Sequence, residues 1–180
     1  TSDIIDNPYN FSNGLLGIAY TKFKMNEVSS NDMQDIETVI SESKYCPEGL
    51  YTGRSGIAWK LSEMGFLKDA EKIFPSTVTE SSNLSLYSGL AGIANALYDC
   101  YLFLNESSYY EESVNLLREC LRYAVKNNNK WELPNRTLNY LCFDIAEGSA
   151  GVLLIIDRII NNRKINPLFF IDNTEERIVL

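Results

Sequence analysis

Histidine is absent from this sequence. Without an imidazole, His-based general acid–base catalysis is excluded, and the commonest side-chain ligand of zinc is missing. Basic residues are in deficit: 16 Lys and Arg stand against 24 Asp and Glu, a formal net charge of −8. That balance argues against nucleic acid or an anionic membrane as a partner. No apolar run reaches the roughly 18 residues that a membrane-spanning helix needs; Val152–Ile156 is a short run inside a repeat. No signal peptide is legible, and a chain that starts at Thr1 is expected to be a fragment. Cysteines are few, and Cys46, Cys100, Cys120 and Cys142 form no Cys-x-x-Cys pair. Two of them fall mid-helix, which suits buried cytosolic thiols better than a disulfide framework. The expectation is a soluble cytoplasmic protein.

What is present is one phrase repeated four times, Gly-x-x-Gly leading an apolar helix. It reads Gly14-Leu15-Leu16-Gly17-Ile18-Ala19, Gly53-Arg54-Ser55-Gly56-Ile57-Ala58, Gly89-Leu90-Ala91-Gly92-Ile93-Ala94 and Gly148-Ser149-Ala150-Gly151-Val152-Leu153. Self-similarity at this kind of period marks a repeat architecture, in which each unit buries its face against its neighbours. A glycine pair at i and i+3 where a helix begins gives a tight turn and lets two backbones approach closely.

The first helix of each unit is short and strongly apolar: Leu15–Met25, Ser55–Met64 closed by Gly65, Leu90–Leu104 and Ser149–Ile160, the last with Asp157 and Arg158 at its open end. An amphipathic helix follows the first three. Asn31–Lys44 carries Met33, Ile36, Val39 and Ile40 on one stripe. Leu67–Phe74 turns Leu67, Ala70, Ile73 and Phe74 inward. Tyr109–Lys126 opens on a capping box, Ser108-x-x-Glu111, with Val114, Leu117, Leu121 and Val125 on one face. Ser76–Ser85 is a polar link. Residues 127–144 form a long insert with Trp131, Pro134 and an extended stretch Leu138–Phe143, which widens the last repeat interval. Pro167–Ile171 reads as a short extended segment and Asn173–Arg177 as a polar turn.

Apolar inner helices alternating with amphipathic outer ones describe an all-α fold, an α/α toroid or double helical barrel. Residues 1–180 supply a partial ring of about four inner and three outer helices. An open arc leaves apolar inner faces uncovered, a patch that soluble monomers avoid. The missing helices are therefore expected from another chain, another copy or the rest of a parent protein.

Residues 49–59, with Gly53-Arg54-Ser55-Gly56-Ile57-Ala58-Trp59, and 86–94, with Gly89-Leu90-Ala91-Gly92-Ile93-Ala94, resemble the repeats of the lanthionine synthetase C-like cyclase family. Asp144-Ile145-Ala146-Glu147-Gly148-Ser149-Ala150-Gly151-Val152-Leu153-Leu154 looks like the last repeat of that domain in the fused kinase–cyclase, class III lanthipeptide synthetases. The Pro167-Leu168-Phe169-Phe170 that follows is similar to how those proteins end. The resemblance spans roughly residues 11–171. It implies a toroid whose central cavity adds a peptide Cys thiol to a dehydroalanine or dehydrobutyrine, giving a thioether (lanthionine) ring and, in class III, sometimes a labionin. The implied partners are a precursor peptide of leader and dehydrated core, and the kinase and lyase domains with the rest of the ring. Zinc-dependent members of the family hold the metal through a Cys two residues before a repeat Gly and through a Cys-His pair directly preceding another. The corresponding pairs here are Ser12-Asn13, Tyr51-Thr52, Tyr87-Ser88 and Ala146-Glu147, none of them Cys or His. The resemblance therefore implies chemistry without a zinc cofactor.

Thiol addition needs a thiolate, and a free Cys has a pKa near 8.5. Without zinc, a general base or a local positive charge must supply it, and an acid must protonate the enolate. The turns that start the inner helices rim the cavity, so the candidates sit there. Tyr51 and Tyr87, equivalent in repeats two and three, are proton donors or rim packing. Glu147, in the slot of a zinc His, and Asp144 before it are a base and peptide contact or charges complementing a helix dipole. Arg54 steadies a thiolate or enolate, or makes a structural salt bridge. Cys46 and Cys142 read as packed thiols, and Trp131 as the pin of the long insert. A competing reading is a non-catalytic toroid that binds the precursor peptide or the kinase domain. A glycosidase toroid needs two carboxylates facing each other across a substrate, whereas Asp144 and Glu147 share one turn.

Overall fold

The computed structural model describes residues 7–74, 83–134 and 139–168. Within them the chain forms α1 (Leu15–Lys24), α2 (Ser30–Glu42), a 3₁₀ turn (Ser43–Tyr45), α3 (Arg54–Glu63), α4 (Leu67–Ile73), α5 (Leu90–Leu104), α6 (Ser107–Arg122), the strands β1 (Val125–Asn127) and β2 (Lys130–Glu132), and α7 (Ser149–Ile160). The inner helices run in sequence, α1 against α3, α3 against α5 and α5 against α7, while α2, α4 and α6 each pack on the inner helix before them. This all-α arrangement is the expected set of four inner and three outer helices. No helix among the described residues is long and apolar enough to cross a membrane.

Glycine at each inner-helix start has a steric cause. Gly14, Gly53, Gly89 and Gly148 are the N-caps, and their φ values lie between −100° and −120°, which any residue adopts. None caps with a side chain. The loop before each helix instead folds back over its N-terminus. Its carbonyls accept from the first helical N–H: Leu15 donates to Pro8, Arg54 to Pro47, Leu90 to Asn83 and Ser149 to Cys142, at 2.7–2.9 Å. These bonds satisfy donors that every helix start leaves open. The loop then lies so close that a Cβ on the cap glycine would meet the carbonyl oxygen of that same residue.

The second glycine adds a contact between repeats. A Cβ on Gly56 would strike the Leu50 carbonyl and the Phe11 ring, one on Gly92 the Leu86 carbonyl and Leu50, and one on Gly151 the Ile145 carbonyl and Leu86. Phe11, Leu50 and Leu86 hold the same place, three residues before the cap, in repeats one, two and three. Each repeat therefore seats one apolar side chain on the second glycine of the next. The turns are also tied by main chain: Tyr51 N–H donates to the Tyr87 carbonyl (3.0 Å), and Tyr87 N–H to that of Ala146 (3.1 Å).

Several boundaries differ from expectation. The capping box forms at Ser29 and Asp32, at the start of α2, and not at Ser108 and Glu111; α6 starts from Glu106 without a side-chain cap. The inward face of α6 is Ser113, Leu116, Leu117 and Cys120, with Leu121 exposed. Val125 and Lys126 leave the helix for a hairpin, because Asn128 and Asn129 both take positive φ (46° and 64°) and close a two-residue turn. Met33 and Leu67 are exposed, while Ile36, Val39, Ala70, Ile73 and Phe74 are buried. Gly65 terminates α3 at φ +90°, as expected. The inner face is not bare at the middle of the arc, where Ser55–Ser62 and Leu90–Cys100 are buried throughout. Exposed apolar residues lie on its two ends, Ile18 and Met25 on α1, and Leu153 and Ile160 on α7. Trp131 is 63% exposed, so it does not pin the insert; Leu133 does, buried, its N–H on Ser149 Oγ at 2.9 Å. Most of the polar link at 76–85 and Leu138 lie outside the described residues. So do the tail segments beyond Leu168, of which Pro167 and Leu168 are a turn.

Arg158, expected at an open helix end, is buried and pairs with Asp99 of α5. It also donates to Asn95 Oδ1 and to the carbonyls of Lys164 and Ile165, while Asn166 donates to the second Asp99 oxygen. The segment after α7 is thereby fastened onto α5. A charge removed from water this fully is tolerated only with such complete pairing.

Glycine at position 56 should be replaceable only at a high cost. Gly56→Ala is expected to lower unfolding free energy by about 3 kcal/mol, because backbone must move. Gly65→Ala meets nothing within 4 Å and carries only the left-handed backbone penalty, about 1 kcal/mol. Urea unfolding of both variants checks the ordering.

Candidate functional site

The turns of repeats two, three and four lie side by side along the main-chain ladder, and they carry the sequence-derived candidates. Tyr51 and Tyr87 are brought together as stacked rings, 4.0 Å between centroids and 22° between planes. Phe11 extends the stack on the Tyr51 side, at 5.5 Å. Burial, and then the adjacent Tyr87 hydroxyl, push the Tyr51 phenol up to about 12. Tyr51 is thus a phenol at neutral pH, able to donate a hydrogen bond toward negative charge forming beside it. Tyr87 is 38% exposed and forms the outer face of the pair.

Glu147 follows Ala146, the residue bonded to Tyr87, and is half-buried. Its N–H donates to Asp144 Oδ1 at 2.7 Å. Asp144 is exposed and acts as the bracket of its own turn, the part that Asn10 plays for Ser12 and Asn13 and Ser85 plays for Ser88. Cys142 donates its S–H to the same carboxylate, at 2.7 Å. That bond raises the Cys142 thiol and lowers the Asp144 carboxyl from their ordinary values. Cys46 is raised too, chiefly by burial. Neither is prepared as a thiolate. Arg54 is engaged within its own turn by Glu48, Nη2 to Oε1 at 3.1 Å, while its Nε is buried without a hydrogen-bond partner among the described residues.

Among the described residues no three His, Cys, Asp or Glu side chains come together as a metal site. Cys142 and Asp144 offer two donors where zinc takes three or four from the protein. The residues present do not fit the metal.

One cavity of about 570 Å³ lies between α1 and α3. Tyr51 lines it, with Ser12 and Asn13 of the first turn, Phe11, Tyr20 and Lys60. Lys60 is buried and its Nζ is 3.1 Å from Glu63 Oε1; Tyr20 donates its hydroxyl to the other Glu63 oxygen. Sequence reasoning missed all three. The signal available was a lone lysine inside an otherwise apolar run, Ile57-Ala58-Trp59-Lys60-Leu61.

Removing the Tyr87 hydroxyl should lower the Tyr51 pKa from about 12 toward, but not to, 10, since burial is the larger cause. Carbon-13 NMR of labelled tyrosine rings in Tyr87→Phe reads this directly.

Residues 80–169 match a family model described as lanthionine synthetase C-like protein. No curated protein matches the chain.

Proposed function

The chain belongs to the lanthionine synthetase C-like family, and from that premise we propose that it is the cyclase part of a class III-type lanthipeptide synthetase. It adds peptide Cys thiols to dehydroalanine or dehydrobutyrine in the cytoplasm, without zinc, forming lanthionine or labionin rings. The observation that carries this reading is the stacked Tyr51–Tyr87 pair on a turn ladder that continues to Ala146 and Glu147. Two phenols and a carboxylate there occupy the places from which zinc-dependent members draw their ligands. The phenols donate hydrogen bonds to the enolate oxygen, and Glu147 takes a proton or orients the peptide. Arg54 and Asp144 have structural partners, so their part is to hold turns in shape.

The same bonding within the turns favours the second reading, a scaffold that binds precursor peptide or kinase domain without catalysis. Turnover separates the two. A dehydrated, Cys-containing peptide is expected to cyclise faster with the chain than alone. Glu147→Gln and Tyr87→Phe are each expected to slow that reaction by about 10–100-fold, with the far-UV circular dichroism spectrum unchanged. Full activity in both variants would remove these residues from the mechanism, and no acceleration by the wild type would leave the scaffold reading.

The partners we propose beyond the peptide are the rest of the ring or a second copy. Ile145 holds in repeat four the place of Phe11, Leu50 and Leu86, yet it is 55% exposed. The three described atoms nearest to a Cβ on Gly17, the second glycine of repeat one, are all backbone of its own Phe11. An exposed knob at one end and, among the described residues, a second glycine without a side chain seated on it at the other suit a neighbour built on the same repeat. Ile145→Glu is expected to abolish any assembly above 20.4 kDa seen by light scattering.

A further inference from the structure

The insert between α6 and α7 carries an indole and two ammonium groups that neither the core nor the rim chemistry uses. Asn128 and Asn129 close a two-residue turn, so Asn127 and Lys130 are the pair that exchanges main-chain hydrogen bonds across the hairpin. In the next pair, Lys126 and Trp131, the N–H and C=O groups therefore point away from the opposite strand. The chain beyond β2 is covered on its outer side, where Pro134 is bridged antiparallel to Leu141. β1 is an edge of the two-stranded sheet, with Val125, Lys126 and Asn127 all exposed. Among the described residues the Lys126 main chain has no partner beyond that edge.

Residues directly opposite one another share a face of a hairpin, so Lys126 and Trp131 stand side by side, with Glu132 and Val125 on the other face. Trp131 is 63% exposed, whereas Trp59, the other tryptophan, is 1% exposed. Neither Lys126 nor Lys130 has an ion-pair partner among the described residues, although 24 acidic residues stand against 16 basic ones in the chain. The stretch 118–132 reverses that balance, with Arg118, Arg122, Lys126 and Lys130 against Glu119 and Glu132. The hairpin is also tied to the rim. Leu133 N–H donates to Ser149 Oγ at 2.9 Å, and that hydroxyl lies 3.1 Å from the Leu133 carbonyl oxygen. Ser149 follows Glu147 by two residues.

We propose that the β1 edge is a docking strand for an acidic, extended segment of the substrate peptide. The segment adds to β1 as a third strand, bonds the Lys126 N–H and C=O, and lays a carboxylate on the Lys126 ammonium beside Trp131. The inference rests on the chain's being a binder of precursor peptide, a premise common to the cyclase and scaffold readings, and it names how that peptide is held. Main-chain bonds give such an edge affinity for any extended chain, and side chains then choose among chains. A lysine on an open edge keeps like edges apart, and the same charge admits a strand of opposite sign. Because Leu133 fastens the hairpin to Ser149, a peptide held on β1 has its neighbouring residues tethered to the turn that carries Glu147.

The test uses the 180-residue chain and two acetylated hexapeptides, one alternating Glu with Val and the other Lys with Val. Each is titrated at low salt while tryptophan emission is followed. The Glu peptide is expected to move the emission to shorter wavelength, a response that Trp131→Phe abolishes, and the Lys peptide to bind about tenfold more weakly or worse. Lys126→Glu is expected to reverse that preference. In the wild type, the Glu peptide at about ten times its Kd should slow amide exchange at Lys126 about tenfold. Equal binding of the two peptides, or unchanged exchange at Lys126, would overturn the proposal. So would an emission shift produced by anionic lipid vesicles and not by the Glu peptide. Thioether formation from a dehydrated, Cys-containing peptide is measured on the same protein. Turnover without binding of the Glu peptide would overturn this inference alone, whereas binding without turnover would support it and remove the cyclase reading.

Discussion

The structure depends on a loop backbone laid across the N-terminus of each inner helix. Four times the chain must satisfy the open N–H groups of a helix whose surroundings are apolar, where water is a poor substitute. It does so with carbonyls from its own preceding loop, and the resulting closeness leaves no room for a Cβ at either glycine. Everything at the rim follows from this. The loop residue three before the cap becomes a knob for the next repeat, and the residue two before it joins the turn ladder. The side chains at that position, Tyr51 and Tyr87, are forced face to face.

Two buried charge clusters fix what the glycines leave open. Arg158 and Asp99 bind α7 and the segment after it to α5, and Lys60, Glu63 and Tyr20 bind α3 to α1. Apolar packing between smooth helices tolerates sliding, since Leu, Ile and Ala contacts reform after a small shift. A guanidinium with four fixed acceptors does not, because a displaced charge in that interior would lose its partners. The first cluster is saturated and reads as structural. The second borders a cavity, which Tyr20 and Lys60 help to line.

Tyr51, with its phenol pushed up to about 12, holds its proton firmly. Such a group can donate a hydrogen bond to negative charge without surrendering the proton. Cys142 and Cys46 are both raised rather than activated.

The all-α repeat, the four helix starts and the inner–outer alternation were legible in the sequence because each rests on local causes. Glycine spacing reports a steric exclusion, and apolar periodicity reports a buried face. The Tyr51–Tyr87 equivalence was legible for the same reason, being a matter of register. Helix ends at α6 were not, because two asparagines in left-handed conformations overrode an apolar stripe that continued past them. Nor was the placement of Arg158 or Lys60. A charge within an apolar run looks alike in sequence whether it reaches solvent, pairs across 59 residues with Asp99 or lines a cavity. The sequence by itself determined which backbone positions must approach one another, since that is written in the residues that lack a side chain. Only the tertiary structure decided which charges are buried and which partners they meet, because desolvation and pairing are properties of the packed surroundings and not of the chain.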